Sequence, residues 1–341
     1  MHRTVNGPFE DSCVYIRLLR EKRAVLFDLG SLNGLPDGLI IKVTDAFVTH
    51  THMDHFIGFD HLLRNMLGSE TPLRVYGPPN IIDCVAGKLK GYAWNLIANY
   101  PLEIEVYGIS AYRIRHVSFR AKDGFAHRED PEQRPFEGTV VKNDQFTVKA
   151  VLLKHDIDTL GWSIEEDFHI NIDKAALTEM GLEPGPWLTD FKKKIRSGFP
   201  EDSIFSFPVH SKAEGEAAKN LEMEFGELKR KIANITRGQK VTYVMDSSPT
   251  PENIRKITAF ASGSDSLYME AYFLDEDIER ARERNHLTAG ITGRIAREAG
   301  VKNLHIMHYS PKYSHMADAI PREASEAFGA KVNEASPYIK D

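Results

Sequence analysis

The sequence predicts an α/β fold in which sheets carry helices packed against them. Short apolar runs bounded by Gly, Pro, Asp or Ser read as buried strands. The early runs follow one another as hairpins or a meander would, whereas the later ones alternate with helical patterns. Ligand-type side chains recur at the C-terminal ends of separate strands, where sites form at a sheet edge.

The strand runs are, in order, "SCVYIRLL", "RAVLFDLG", "VTDAFVTH", "PLRVYG", "FTVKAVLLKH", "KVTYVMD", "SLYMEAYF" and "NLHIMHYS", all rich in Val, Ile, Tyr and Phe. Helical spacing places helices at about 55–67, 79–90, 174–180, 213–235, 251–261, 276–284 and 287–299. In "PENIRKITAFA" (251–261) a proline opens the segment, and Ile254, Ile257 and Phe260 share one face. Residues 164–237 are charged and broken by Gly and Pro. They are expected to form an inserted arm without core strands of its own, inside a single domain spanning 1–341.

Composition bounds the function. Hydrophobic residues make up 42% of the 341 and charged residues 27%, enough apolar material for a sizeable core. A net charge of -6 does not mark a nucleic-acid binder, so any polyanion needs a local basic patch. Two cysteines, Cys13 and Cys84, support neither a disulfide framework nor a thiolate metal site. The start, "MHRTVNGPFEDS", has no apolar core of a signal peptide, and no run is long enough to span a membrane. A cytoplasmic location is expected.

The chemistry concentrates in "AFVTHTHMDHFIGFDHLL", where His50, His52, Asp54 and His55 fall within one turn. In an extended segment, positions i and i+2 point the same way, so His50 and His52 can hold one ion. Asp54 and His55, on the turn that follows, can reach a second. His155 ends "FTVKAVLLKH", Asp246 ends "KVTYVMD" and His308 ends "NLHIMH". Imidazole suits zinc, and carboxylates accept zinc or manganese. Two dications about 3.5–4 Å apart need a bridging carboxylate, for which Asp246 is the choice. The alternative for any one histidine is a surface or satisfied-core role. That reading fits His61 and His305, which lack this setting.

A family resemblance runs through the same motifs. His-x-His-x-Asp-His after a strand is similar to the metallo-β-lactamase signature, and the later motifs resemble those of ribonuclease Z, the zinc-dependent tRNA 3′-processing endonuclease. "KHDIDTLGWSI", "YVMDSS", "MEAYF", "NHLTAG" and "MHYSPKY" stand in that family's order, and "GLEPGPWLTDFKKKIRSG" resembles the Gly-Pro segment of its tRNA-clamping arm. The resemblance implies a four-layer αββα sandwich with a dinuclear site at one edge. It implies that His50, His52 and His155 hold a first Zn2+, that Asp54, His55 and His308 hold a second, and that Asp246 bridges them. Mn2+ is the alternative ion. It further implies hydroxide attack on phosphorus, with Asp54 orienting the water, His286 protonating the leaving oxygen and Glu270 positioning His286. A homodimer is implied as well.

The sequence also departs from the family. "FDLGSLNGL" replaces a Cys-Gly-Glu-Gly-Thr stretch, Met53 and Met245 replace glycines, and the N-terminal basic loop that contacts tRNA is missing. Lys192, Lys193, Lys194 and Arg196 in the arm are then the candidate phosphate contacts, the alternative being an ordinary solvated lysine face. The expected function is cleavage of precursor tRNA. A small-molecule phosphodiesterase or another hydrolase on the same scaffold is the principal alternative. A different chemistry on the fold and a non-catalytic RNA-binding protein stand behind it.

Overall fold

The computed structural model describes residues 1–18, 23–131, 133–209 and 219–337. The chain divides into two compact units: one of residues 1–141, 148–164 and 240–341, and one of residues 142–147 and 165–239.

In the described part of the first unit, one sheet of nine strands is built from β1 (His2–Thr4), β2 (Val14–Leu18), β3 (Arg23–Phe27), β4 (Val43–Phe47), β5 (Leu73–Gly77), β6 (Glu103–Ile109), β7 (Arg113–Arg120), β8 (His127–Glu129) and β9 (Arg134–Pro135). Its outer pairs are antiparallel, and its centre, β3 to β6, is parallel. The second sheet takes the order β10 (Thr139–Lys142), β11 (Phe146–Lys154), β12 (Asp158–Glu166), β17 (Lys240–Val244), β18 (Ser266–Glu270), β19 (Asn303–Met307) and β20 (Asn333–Glu334). Between β12 and β17 the chain forms the strands of the second unit: β13 (His169–Ile172), β14 (Ile204–Val209), β15 (Lys219–Glu224) and β16 (Ala233–Thr236).

Alternation along the strands produces the layers. In β3, Ala24 and Leu26 enter one core with Phe59, Leu62, Ile81 and Val85 of the helices Phe59–Met66 and Ile81–Lys90. In β18, Leu267 and Met269 enter another with Ile257, Ile295 and Ala324 of the helices Pro251–Ala261, Ala289–Glu298 and Ala319–Phe328. The opposite faces meet in an aromatic layer, with Phe27 against Tyr243 at 5.4 Å between centroids and Phe47 against Trp162 at 5.2 Å. Both faces of each central strand are therefore buried, which is why these strands read as unbroken apolar runs. The expected αββα sandwich follows.

The second unit has its own core, in which Trp187 stacks on Phe207 and Phe191 meets Phe225. The expectation that this segment holds no core strands is not met. β13 pairs with β16, and β14 with β15. The helix expected over 213–235 is met only at 225–232: residues 219–224 and 233–236 are strand, while 213–218 lie outside the described residues. Lys and Glu favour helix here by propensity. The alternation of Leu221 and Met223, placed opposite Phe207 and Phe205, overrides that preference. Among the described residues, no helix is long and apolar enough to cross a membrane.

Candidate metal centre and active site

Parallel strands bring the candidate residues together. β17, β18 and β19 are parallel neighbours, so their C-terminal ends lie along one edge. From that edge come Asp246 two residues after β17, Glu270 at the end of β18 and His308 directly after β19. β3 and β4 are also parallel, with Phe27 opposite Phe47, so Asp28 comes beside the turn that carries Thr49 and His50.

Asp246 is the hub. Its carboxylate lies 3.4 Å from His50, 3.5 Å from His55, 3.7 Å from His155 and 2.8 Å from His308. Ligand atoms of His50, His52, His155 and Asp246 fall within 4.8 Å of one another, as do those of Asp54, His55 and His308. These two groups are the ones the sequence motif proposes for two ions. Both share the neighbourhood of Asp246, in keeping with a bridging carboxylate.

Hydrogen bonds fix which nitrogens face inward. His55 Nδ1 donates to Asp28 at 2.7 Å, and His155 Nδ1 donates to the Asn285 carbonyl at 3.0 Å. Both partners only accept, so in each neutral ring Nε2 is the nitrogen free to bind a cation on the Asp246 side. Burial opposes charge on His55, yet with no cation present Asp246 and Asp28 raise its pKa above the ordinary value. Burial, with His55 second, pushes His50 down to about 2, so its imidazole stays neutral. Burial works to raise Asp54, but hydrogen bonds from His308 and His55 hold it well below the usual carboxylate range. Burial likewise opposes charge on His308, yet the Asp246 carboxylate raises it to about 10. The site thus carries excess negative charge that protons on imidazole balance when nothing else does.

The donor set fits divalent cations. His55 Nε2 is buried without a hydrogen-bond partner, and Asp246 Oδ1 and His308 Nδ1 have only their mutual ion pair at 2.8 Å, although buried polar atoms otherwise find hydrogen bonds. A cation in contact with imidazole nitrogen and carboxylate oxygen would satisfy all three.

His286 stands beside this centre. Its Nδ1 donates to Glu270 Oε2 at 2.8 Å, while Glu270 Oε1 accepts from the Ser247 amide. Tyr272 lies flat on its ring, 4.0 Å between centroids at 9°. Burial lowers the His286 pKa and Glu270 more than restores it, for a net rise. A cavity of about 380 Å³ opens over His52, Asp54, His155, Asp246, His286 and His308.

Lys192, Lys193, Lys194 and Arg196 lie on the helix Trp187–Arg196 of the second unit. There the Lys194 ammonium sits 4.0 Å over the Phe199 ring, and Arg196 donates to Asp167 and to the Asp144 carbonyl.

Sequence reading missed Asp28. Fully buried, it accepts hydrogen bonds from the Thr49 amide and hydroxyl, His55 and the Tyr243 hydroxyl. A carboxylate directly after the strand "RAVLF" was a usable signal, the same one that marks Asp246. Asn285, acting through its carbonyl, carried none.

The fold is that of the metallo-β-lactamase-like proteins, and the clustered imidazoles and carboxylates make a candidate divalent-metal site. The metallo-β-lactamase fold protein YhfI from Bacillus subtilis superposes with a TM-score of 0.56 at 15% identity, covering 99% of this chain and 97% of that one. Human tRNase Z, short form, gives 0.55 at 17% identity, covering 99% and 98%. No family model matches the chain. In sequence it is 27% identical over 292 residues to a ribonuclease Z from Deinococcus radiodurans, spanning 85% of this chain and 83% of that protein. The chain is thus similar in sequence, over most of its length, to proteins named ribonuclease Z.

Proposed function

We propose that the chain is a metal-dependent phosphodiester hydrolase of the ribonuclease Z kind, cutting RNA at the 3′ end of precursor tRNA. One observation carries the reading: His50, His52, Asp54, His55, His155 and His308 gather around Asp246 at strand ends, with His286 held by Glu270 on the same cavity. Two dications held by the first seven residues would supply Lewis acidity, acidifying water and drawing charge from the phosphoryl oxygens. The donor set of imidazoles and carboxylates suits zinc.

The chain's own groups do the rest. Asp28, Thr49 and the Asn285 carbonyl orient imidazoles before substrate arrives. Glu270 accepts a hydrogen bond from the Nδ1–H of His286, so Nε2 is the nitrogen able to deliver a proton to the leaving 3′ oxygen. Tyr272 prevents the ring from turning. Lys192, Lys193 and Lys194 contact tRNA phosphates in this proposal. The working unit is a homodimer in the cytosol, where Cys13 and Cys84 remain free thiols.

The test is to quantify metal in the purified chain and assay precursor tRNA beside bis(p-nitrophenyl) phosphate. Two ions per chain and cleavage at the tRNA 3′ end are expected. Turnover of the small diester with tRNA left intact would replace this reading with that of a small-molecule phosphodiesterase.

A further inference from the structure

The active-site cavity has a second wall that the metal centre does not use. It is made by Arg280 and Arg284 with Tyr272 and Phe273. The two arginines are four residues apart on the helix Ile278–Arg284, so they stand on one face. Among the described residues lining the cavity they are the sole permanent cations.

Their neighbours are held in hydrogen-bonded ion pairs, whereas Arg280 has only a longer-range attraction to Asp277. Arg282 donates to Glu279, Arg294 to Asp275 and Lys312 to Asp277. No hydrogen bond or ion pair joins Arg280 or Arg284 to a described residue, and both are exposed. The Arg280 guanidinium does lie 5.8 Å over the Phe273 ring, a contact that steadies it and leaves its N–H groups available. Carboxylates are close at hand, since Glu276, Asp277, Glu279 and Glu283 line a second groove together with the same arginines. Asp277 and Glu279 already hold Lys312 and Arg282. The acidic lining of that groove disfavours an anion there and leaves the active-site cavity for one.

We infer that Arg280 and Arg284 grip a phosphate of the substrate next to the scissile one, which makes the site selective for oligonucleotides over isolated phosphodiesters. The inference rests on the hydrolase reading and deepens it. With Asp54 and Asp246 directed at the cation sites, and the Asp156 carboxylate taking the Asn285 amide at 2.5 Å, the floor offers little to a flanking phosphate. Guanidinium forks match phosphate oxygens in pairs. A diester with one phosphate reaches the floor alone and does not need this wall.

The experiment compares the parent chain, loaded with its metals, with Arg280→Ala, Arg284→Ala and the double variant. On an oligoribonucleotide substrate, KM rises about tenfold or more in the double variant. The slope of log KM against log salt flattens by about 0.7 for each single-strand phosphate no longer neutralised. Hydrolysis of bis(p-nitrophenyl) phosphate stays within about twofold, and metal content does not change. The Arg280→Lys, Arg284→Lys double variant, measured beside them, recovers part of the salt slope, which a purely structural role would not allow. Equal losses on both substrates, or a parental KM and salt slope on RNA, overturn the inference. Equilibrium binding of a labelled oligoribonucleotide in a His286→Ala background keeps the two readings apart. If the parent cleaves no RNA, the ribonuclease reading falls, while weaker, less salt-sensitive binding by the double variant still upholds the arginine wall. Identical binding with and without the arginines removes it.

Discussion

Replacing Asp28 by Asn tests whether the metal centre depends on one buried carboxylate outside it. Asp28 Oδ1 accepts from the Thr49 amide at 2.6 Å and its hydroxyl at 3.0 Å, and Oδ2 accepts from His55 at 2.7 Å and Tyr243 at 2.8 Å. Asparagine keeps the shape but has one accepting oxygen and one donating amide. If its NH2 faces His55, that ring must accept at Nδ1 and carry its proton on Nε2, the nitrogen aimed at Asp246. If it faces Thr49, two donors oppose each other in a dry pocket, at a cost of about 1–3 kcal/mol. Loss of such an outer partner typically weakens metal affinity about 10- to 100-fold. That range corresponds to about 1.4–2.8 kcal/mol. The loss should fall on the ion held by Asp54, His55 and His308, so competition titration should show one equivalent weakened and the other nearly parental. Circular dichroism establishes that the variant is folded. Two equivalents bound with parental affinity in a folded Asp28→Asn chain would refute the reasoning.

Three further outcomes are expected. His286→Ala should retain its metals by elemental analysis and lose about 10²–10⁴-fold in turnover on RNA; the loss should be much smaller for a nitrophenolate leaving group, which barely needs a proton. Replacing Lys192, Lys193 and Lys194 by Ala, with Arg196 left to hold Asp167, should raise the KM for tRNA and flatten its salt dependence by about 0.7–0.9 per phosphate left unneutralised, without touching small diesters. In Gly58→Ala the new Cβ would meet the Gly30 carbonyl at 2.1 Å and the Leu29 carbonyl at 3.0 Å. Prying the loop after Asp28 from the turn after His55 should cost about 1–3 kcal/mol, read as a lower melting temperature together with weaker metal binding.

The clustering of the candidate metal ligands was legible because its signal is local and chemical. His-x-His-x-Asp-His is one turn, and His155, Asp246 and His308 each close an apolar strand. What was not legible acts through the backbone or over long range. His155 is oriented by the carbonyl of Asn285, and a carbonyl leaves no trace in residue type. Tyr272 on His286 depends on a parallel bridge between Phe273 and Thr288, which spacing alone does not reveal. The helix Ala319–Phe328 carries its signal in Ile320, Ala324 and Phe328, four residues apart, but Pro321 in its first turn masks it. In the second unit the same Lys and Glu that favour helix flank β15, and only its partner, β14, decides the outcome.

Backbone conformation explains why the site has these residue types. Asp28, Asp246, Asn285 and His308 have φ of 58°, 46°, 57° and 58°. The left-handed region costs an L-residue about 1–2 kcal/mol. Asp, Asn and His are among the residues that tolerate it best. β3 and β17 are buried on both faces and the last residues of β19 are buried too, so a chain continuing as strand would drive its next side chains into a filled layer. Turning left-handed at or just past the strand end carries the side chain over the edge instead. A residue there is constrained twice: it must accept positive φ, and it must offer an oxygen or an imidazole. Glycine meets the first demand alone and leucine neither. Hydrogen bonds and charge partners then hold the strained residue. Asp28 is held by its donors, His308 lies between Asp54 and Asp246, and Asn285 is held by Ser248 and Asp156. Asn285 extends the same logic to a helix end. Its left-handed turn stops the helix directly after Arg284, so the arginine wall ends where the carbonyl that orients His155 begins, and His286 follows as the next residue.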